Sequence, residues 1–412
     1  MNRTTFINAR IFDGVRTDYL DDSVVIVEDG HIVAVDRKAG ASINGDVVDV
    51  AGKTLMPGLI DAHCHVLGSS LKITDIETQP LTYVAGYASK MLGHALDCGF
   101  TSVRDVGGGD AGIARAVADR LIRGPRVFFA GRALSMTGGH GDFRDPFSEV
   151  GACVGAGGCS AAGRVAIVVD GEDAVRAAAR EELRRGAHCI KIMLSGGVLS
   201  PTDPIWMDQF TDREVIAAVE EAARRRKYVA AHCHPPSSIE RAAKLGVRTI
   251  EHATLIDESS AAAVKSAGAY VVPTTIIVRA LLDDAKAGRL PTWMSSKLAE
   301  VSDQSLRGLE IMDRTGLKIG FGTDLLGHLH THQTREFLLR REVQSAAAIL
   351  RSATSVNAEI LMEPYLGKIQ PGCHADILVV DGDPLKDIDV LARDGRGVTV
   401  IMMGGEFVKR SS

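Results

Sequence analysis

The 412-residue sequence predicts an α/β chain: a (β/α)8 barrel of the TIM type over 58–362, with a small β-sandwich domain built from both ends, 1–57 and 363–412. The middle alternates eight short apolar runs with Ala/Arg/Glu-rich helical patterns, which is the tally of such a barrel. Both ends read as short strands bounded by turn residues, and neither end alone has many. Pairing the ends into one domain, with the middle inserted between them, satisfies both facts. An open doubly wound sheet would alternate in the same way, so the count alone leaves that architecture open.

At the N-terminal end the strands are Thr4–Ile7, Ser23–Glu28, His31–Asp36 and Val47–Val50, with Asp29-Gly30 as a hairpin signal. At the other end Asp376–Asp381, Thr399–Met403 and Glu406–Lys409 repeat the pattern. The barrel runs are Leu59–His63, Ser102–Val106, Arg126–Gly131, Cys189–Leu194, Tyr228–His232, Thr249–His252, Tyr270–Thr274 and Ile319–Thr323. Helical segments such as Ala111–Arg123, Glu172–Arg185, Asp212–Arg226 and Ser237–Leu245 lie between them, and Arg351–Leu361 closes the circuit. Two connections, 132–171 and 275–318, exceed what a plain barrel needs. Long loops at the C-terminal ends of barrel strands are usually functional.

Composition excludes several classes of function. A net charge of −5 gives no electrostatic reason to expect nucleic acid or an anionic membrane as partner. No apolar run approaches the roughly 18 residues of a membrane span, and the first ten residues lack the apolar core of a signal peptide. The seven cysteines (64, 98, 153, 159, 189, 233 and 373) form no C-x-x-C pair. Their odd number points to reduced thiols in the cytoplasm. Cys153 and Cys159, in a Gly-rich loop, are the one pair to watch for a disulfide. A serine nucleophile lacks its G-x-S-x-G elbow.

Polar residues that look wrong for a core recur at the ends of the runs. His63 and His65 end the first, and the period of two in a strand points both the same way. Lys191 interrupts the fourth, His232 ends the fifth, His252 the sixth and Asp324 the eighth. Singly, His252 reads equally well as a hydrogen-bonded core residue and Asp324 as a helix cap. Jointly, barrel strands converge at one rim and would gather all six. Four imidazoles and a carboxylate suit Zn²⁺ or a similar ion. Cys64 and Cys233, one residue after a histidine, face away. An ammonium at Lys191 is costly in an apolar strand, whereas its neutral amine can take up CO₂ and become a carbamate able to bridge two metals. The competing reading pairs Lys191 with an acid, Asp105 or Glu251.

Pro57-Gly58-Leu59-Ile60-Asp61-Ala62-His63-Cys64-His65, Lys191, His232, His252 and Gly322-Thr323-Asp324 resemble the amidohydrolase superfamily of metal-dependent hydrolases. The stretch Leu366–Asp381 is similar to the segment that returns such enzymes to their β-sandwich. Ser135–Asp142 and Thr323–Gly327 look most like the branch of Xaa-Pro dipeptidase-like and imidazolonepropionase-related hydrolases. The resemblance implies two divalent ions, Zn²⁺ by preference. His63, His65 and Asp324 would hold one, His232 and His252 the other, with carboxylated Lys191 bridging. It implies a hydroxide between the metals that attacks the carbonyl of an amide, from an N-acyl amino acid or an Xaa-Pro-type dipeptide. Asp324 would shuttle the proton to the leaving nitrogen. The alternative on the same centre is a cyclic amide, carbamate, ester, ochratoxin-like or organophosphonate substrate.

His140, in the Gly-rich loop, and His234, where similar enzymes often carry tyrosine, are the substrate-binding candidates. Arg132 and Arg144 are candidates for a substrate carboxylate. His328, His330 and His332 read as a polar loop, with a further metal site as the sharper alternative. Relatives imply a homo-oligomer acting on a small molecule. A barrel whose histidines bind metal only structurally is the reading from a different class, and a closed four-ligand site would be its mark.

Overall fold

The computed structural model describes residues 3–20, 23–37, 43–144, 147 and 163–410. Cys153, Cys159 and the glycines between 151 and 158 lie outside them. The eight anticipated runs appear as parallel strands: β1 (Leu59–Cys64), β2 (Phe100–Asp105), β3 (Arg126–Phe129), β4 (Cys189–Met193), β5 (Tyr228–Cys233), β6 (Thr249–His252), β7 (Tyr270–Val272) and β8 (Lys318–Ile319). β1, β2 and β5 are buried along their whole length, as parallel strands covered by helices are. One sheet has the order β1-β2-β3, and β4 to β8 follow one another in a second. Backbone hydrogen bonds tie the sheets at both ends. His188 N–H donates to the Phe129 carbonyl (2.7 Å), and Ala62 N–H donates to the Phe321 carbonyl (2.8 Å). The arrangement is an α/β fold of the TIM-barrel type.

The helices start where their caps dictate. Asp110 accepts from Ile113 N–H, and Thr211 with Glu214, like Asp257 with Ser260, forms a capping box. The helix after β2 ends at Ala118 rather than Arg123, because Arg120 turns left-handed (φ 61°). The last helix starts earlier than expected, at Ala346, where Ser345 caps it. It then runs through a π-turn at Ser352–Val356 to Leu361. Both long connections carry secondary structure of their own among the described residues. The first contributes two further parallel strands, Ala133–Ser135 and Ala166–Val168, to the edge of the second sheet beside β4. The second folds into three helices, Thr275–Lys286, Thr292–Ser302 and Ser305–Thr315.

The chain ends form two sheets. A four-stranded one has the order His31–Arg37, Ser23–Glu28, Arg3–Ile7, Asp46–Asp49. A five-stranded one mixes both termini, because Thr54–Pro57 pairs antiparallel with Ile377–Val380. Asp29 and Gly30 both have positive φ, as the tight Asp-Gly hairpin requires. Phe6, Val25 and Ile32 of one sheet meet Leu55, Ile377 and Met402 of the other in a single apolar cluster. No helix of the described residues is long and apolar enough to cross a membrane.

Candidate active site

β1 delivers His63 and His65 to the rim with ring centroids 5.6 Å apart, edge to face. Cys64 between them points away, its thiol donating to the Arg104 carbonyl (3.4 Å). The segment after β8 crosses to β1, where Thr323 and Asp324 N–H groups both donate to the His63 carbonyl (3.0 and 2.8 Å). Gly322 permits this approach, since a Cβ there would lie 2.7 Å from His63 Cβ and 2.6 Å from Val272 Cγ1. Asp324 itself adopts a left-handed backbone (φ 57°), as does His252 (φ 68°), an uncommon conformation that concentrates at functional sites. Asp324 Oδ1 thereby comes 2.9 Å from His65 Nε2 and 3.2 Å from His63 Nε2.

His63, His65 and Asp324 can hold a metal ion: their donor atoms lie within 4.8 Å of one another. Their other contacts fit that role. His63 Nδ1 is 2.7 Å from Glu251 Oε2, and His65 Nδ1 is 2.9 Å from the Gly107 carbonyl. Each Nδ1 has only an acceptor opposite it, so in neutral rings the proton sits there and both Nε2 lone pairs face the carboxylate. Three acceptors converging on one point call for a cation. The imidazole and carboxylate donors suit zinc or a similar ion.

His232 and His252 stand beside this group, with centroids 4.5 Å apart and His63 4.8 Å from His252. His232 Nε2 is engaged by the Gly196 carbonyl (3.2 Å) and His252 Nδ1 by the Thr274 hydroxyl (2.8 Å), leaving one nitrogen of each uncommitted. Burial holds both rings well below the usual histidine range. Lys191, 2% exposed on β4, opens on the same cavity as His63, His65, His232, His252 and Asp324. Neither acid proposed as its partner is free. Asp105 accepts the Val66, Gly107 and Gly109 N–H groups, while Glu251 is taken by Arg104 and His63. Lys191 makes no ion pair among the described residues. Burial lowers its pKa, against the opposing charges of Glu251 and Asp324.

His140 stacks on His232 at 4.2 Å, its Nδ1 2.6 Å from Ser200 Oγ and 3.4 Å from buried Asp203. His234 lies 5.2 Å from His252, with Nδ1 3.0 Å from Thr254 Oγ1. Both line the cavity next to the cluster. The two arginines do not reach it: Arg132 pairs with Glu182 (2.6 Å) and Arg144 with Asp142 (2.5 Å). Nor do the three histidines of the Gly327–Arg335 turn form a metal group. His328 faces Asp284 (2.9 Å), His330 reaches back to the His65 carbonyl (3.2 Å), and His332 Nδ1 is buried without a hydrogen-bond partner among the described residues.

Sequence reasoning missed the buried chain behind His63. Arg104 donates to Glu251 Oε1 (2.8 Å), whose other oxygen holds His63. The signal was an arginine within a short strand-like run, a charged residue of the same kind as Lys191. Asp203, Thr254 and Thr274 carried no such mark.

The amidohydrolase family profile matches residues 54–408. The ochratoxinase of Aspergillus niger is 34% identical over 367 residues, covering 86% of this chain and 75% of its own. A prolidase crystallised with N-methylphosphonate-L-proline superposes with a TM-score of 0.94 at 42% identity, over 99% of this chain and 100% of that one. A Xaa-Pro dipeptidase with methionine in its active site gives 0.87 at 28% identity, over 99% and 100%. With a group of N/O donors able to hold a metal ion at the rim of an α/β barrel-type fold, this chain belongs to the amidohydrolase family and is a hydrolase of carbon–nitrogen bonds.

Proposed function

We propose that the chain is a two-metal amidohydrolase that cleaves the amide of an N-acyl amino acid or an Xaa-Pro-type dipeptide. The carrying observation is the convergence of His63, His65, Lys191, His232, His252 and Asp324 on one cavity. In this reading the strands of 58–362 close into a barrel, supported by the backbone bonds at both sheet junctions. The segments 1–57 and 363–412 make a β-sandwich, supported by the pairing of Thr54–Pro57 with Ile377–Val380. The prolidase, dipeptidase and ochratoxinase relatives support an amide substrate. A homo-oligomer and a cytoplasmic location belong to the same reading, on resemblance and cysteine usage.

His63, His65 and Asp324 would hold one ion, and His232 and His252 the second. Lys191, whose charged form burial disfavours, would as a neutral amine take up CO₂ and offer a carbamate to both. When bound, two Zn²⁺ ions would supply Lewis acidity and make a water molecule acidic near neutral pH. Asp324, ionised as a metal ligand, would be able to take a proton from the attacking water and pass it to the leaving nitrogen. His234, pushed down to about 3 by burial, stays neutral. With Thr254 on its Nδ1, its Nε2–H can donate to the carbonyl oxygen that becomes negative.

The test is a metal count beside hydrolysis of N-acyl amino acids, Xaa-Pro dipeptides, lactams and aryl carbamates. Lys191→Ala should lose the second metal and most activity. Two metals retained with near-normal turnover would refute the bridging role. Turnover confined to lactams or carbamates would move the assignment to the alternative substrates.

A further inference from the structure

Three cavities meet beside the candidate metal cluster, and Leu199 is the one residue that lines all of them. One is the cavity of the cluster itself. The second shares His140, His232, His252 and Asp324 with the first and has an apolar wall of Ile277, Val278, Leu281, Leu298 and Val301. The third is an annex of about 1110 Å³ including its mouth, walled by Trp293, Met294, Leu290 and Pro291. It lies next to the cluster's cavity, with Ile73, Phe143 and Leu199 lining both. Of its cationic residues, Arg289 lies 2.5 Å from Asp284, and Lys72 is largely exposed to solvent, 3.4 Å from Asp75.

The position of Leu199 is set by its neighbours. Gly197 N–H donates to Asp203 (3.0 Å), and the Ser200 carbonyl accepts from Lys297 Nζ (2.7 Å). Lys297 belongs to the helix Thr292–Ser302. That helix also supplies Trp293 and Met294 to the annex and Leu298 and Val301 to the other chamber. The connection between β7 and β8 thus builds both apolar spaces and clamps the side chain that separates them.

We propose that Leu199 is a specificity-determining partition, and that the annex behind it receives a bulky uncharged group, aryl or long alkyl, on the acyl side of the amide. This rests on the amidohydrolase reading for the scissile bond but not for the annex. In this proposal an acetyl group would leave the annex unfilled. A naphthoyl or hexanoyl group can exchange water for the Trp293 and Leu290 walls, a gain that scales with the apolar area buried. The charged α-ammonium of a free dipeptide would be desolvated there without return.

The experiment has two arms. The first compares N-acetyl-, N-hexanoyl- and N-(2-naphthoyl)-L-proline and the matching L-phenylalanine compounds. The 2-naphthoyl to acetyl ratio of kcat/KM should be on the order of tenfold or more. Leu199→Phe, which plugs the passage, should collapse that ratio within the same variant. The second arm needs no turnover and is run on metal-loaded and metal-stripped protein. Trp206→Phe leaves Trp293 as the single tryptophan, since the chain has two. Quenching of its fluorescence by 6-bromo-N-methylhexanamide should saturate, and Leu290→Asp should weaken that binding about tenfold. A strictly linear quench, or an acyl ratio below about threefold, overturns the proposal. Saturable quenching without hydrolysis of any N-acyl amino acid would instead sink the amide reading and leave the annex standing.

Discussion

Glu251→Gln tests whether the buried chain Arg104–Glu251–His63 anchors the site. Glu251 Oε1 accepts from Arg104 Nη2 (2.8 Å) and Thr249 Oγ1 (2.6 Å), while Oε2 accepts from His63 Nδ1 (2.7 Å). Arg104 and Glu251 are fully buried. Burial works to raise the carboxyl, yet the Arg104 charge and the His63 hydrogen bond hold it at about 2. Glutamine keeps the shape but carries one NH₂. Turned towards His63 it meets a donor, and turned the other way it meets Arg104. Removing one partner of a buried pair costs about 3–5 kcal/mol, because the other charge is left uncompensated. Loss of an acceptor behind a metal-binding histidine typically costs about 10–100-fold in metal affinity. Urea unfolding of metal-free protein reads the first cost, and chelator competition reads the second. A variant unchanged in both, within about 0.5 kcal/mol and threefold, would show that the chain does not anchor the site.

Gly197→Ala would place a Cβ 2.2 Å from His140 Cε1, so the ring must move. KM should rise several-fold with the metal count unchanged, and an unaltered KM would remove His140 from substrate binding. Gly322→Ala drives its Cβ against His63 and Val272 at 2.7 and 2.6 Å. Overpacking of this kind costs about 1–3 kcal/mol; calorimetry should show a lower Tm, and metal analysis a less occupied site. His188 lies between Phe128 and Phe129, and burial pushes it down to about 4. Its folded value lies below the ordinary 6.5, so the unfolded chain binds the proton first. The stability it contributes is full above pH 6.5 and declines as pH falls through 4. His188→Gln should flatten urea midpoints across that window; parallel curves for the two proteins would contradict the assignment.

Much of the architecture is legible from local pattern. Strands buried on both faces must be apolar, their helices must alternate with them, and Asp-Gly must turn at Asp29-Gly30. The same logic marks the cluster. A histidine pair spaced by two, a lysine inside Cys189–Met193 and an aspartate after Gly322-Thr323 are each anomalous where they stand, and strand ends of such a fold converge. The long connections were not legible. The segment 275–318 folds into helices because Leu281, Leu298 and Val301 find apolar partners distant in sequence. The backbone of His252 and Asp324 depends equally on tertiary contacts, since their left-handed φ is a cost that only the surrounding packing can hold. The sequence by itself therefore determined the α/β alternation, the mixed sheet of the two ends and the identity of the polar rim residues. Only the tertiary structure decided how they are used. Glu251 goes to Arg104 and His63 rather than Lys191, Arg132 and Arg144 go to their own acids, and Leu199 stands between the cluster and the apolar annex. Each of these depends on which groups meet across distant strands, and spacing along one chain carries no record of that.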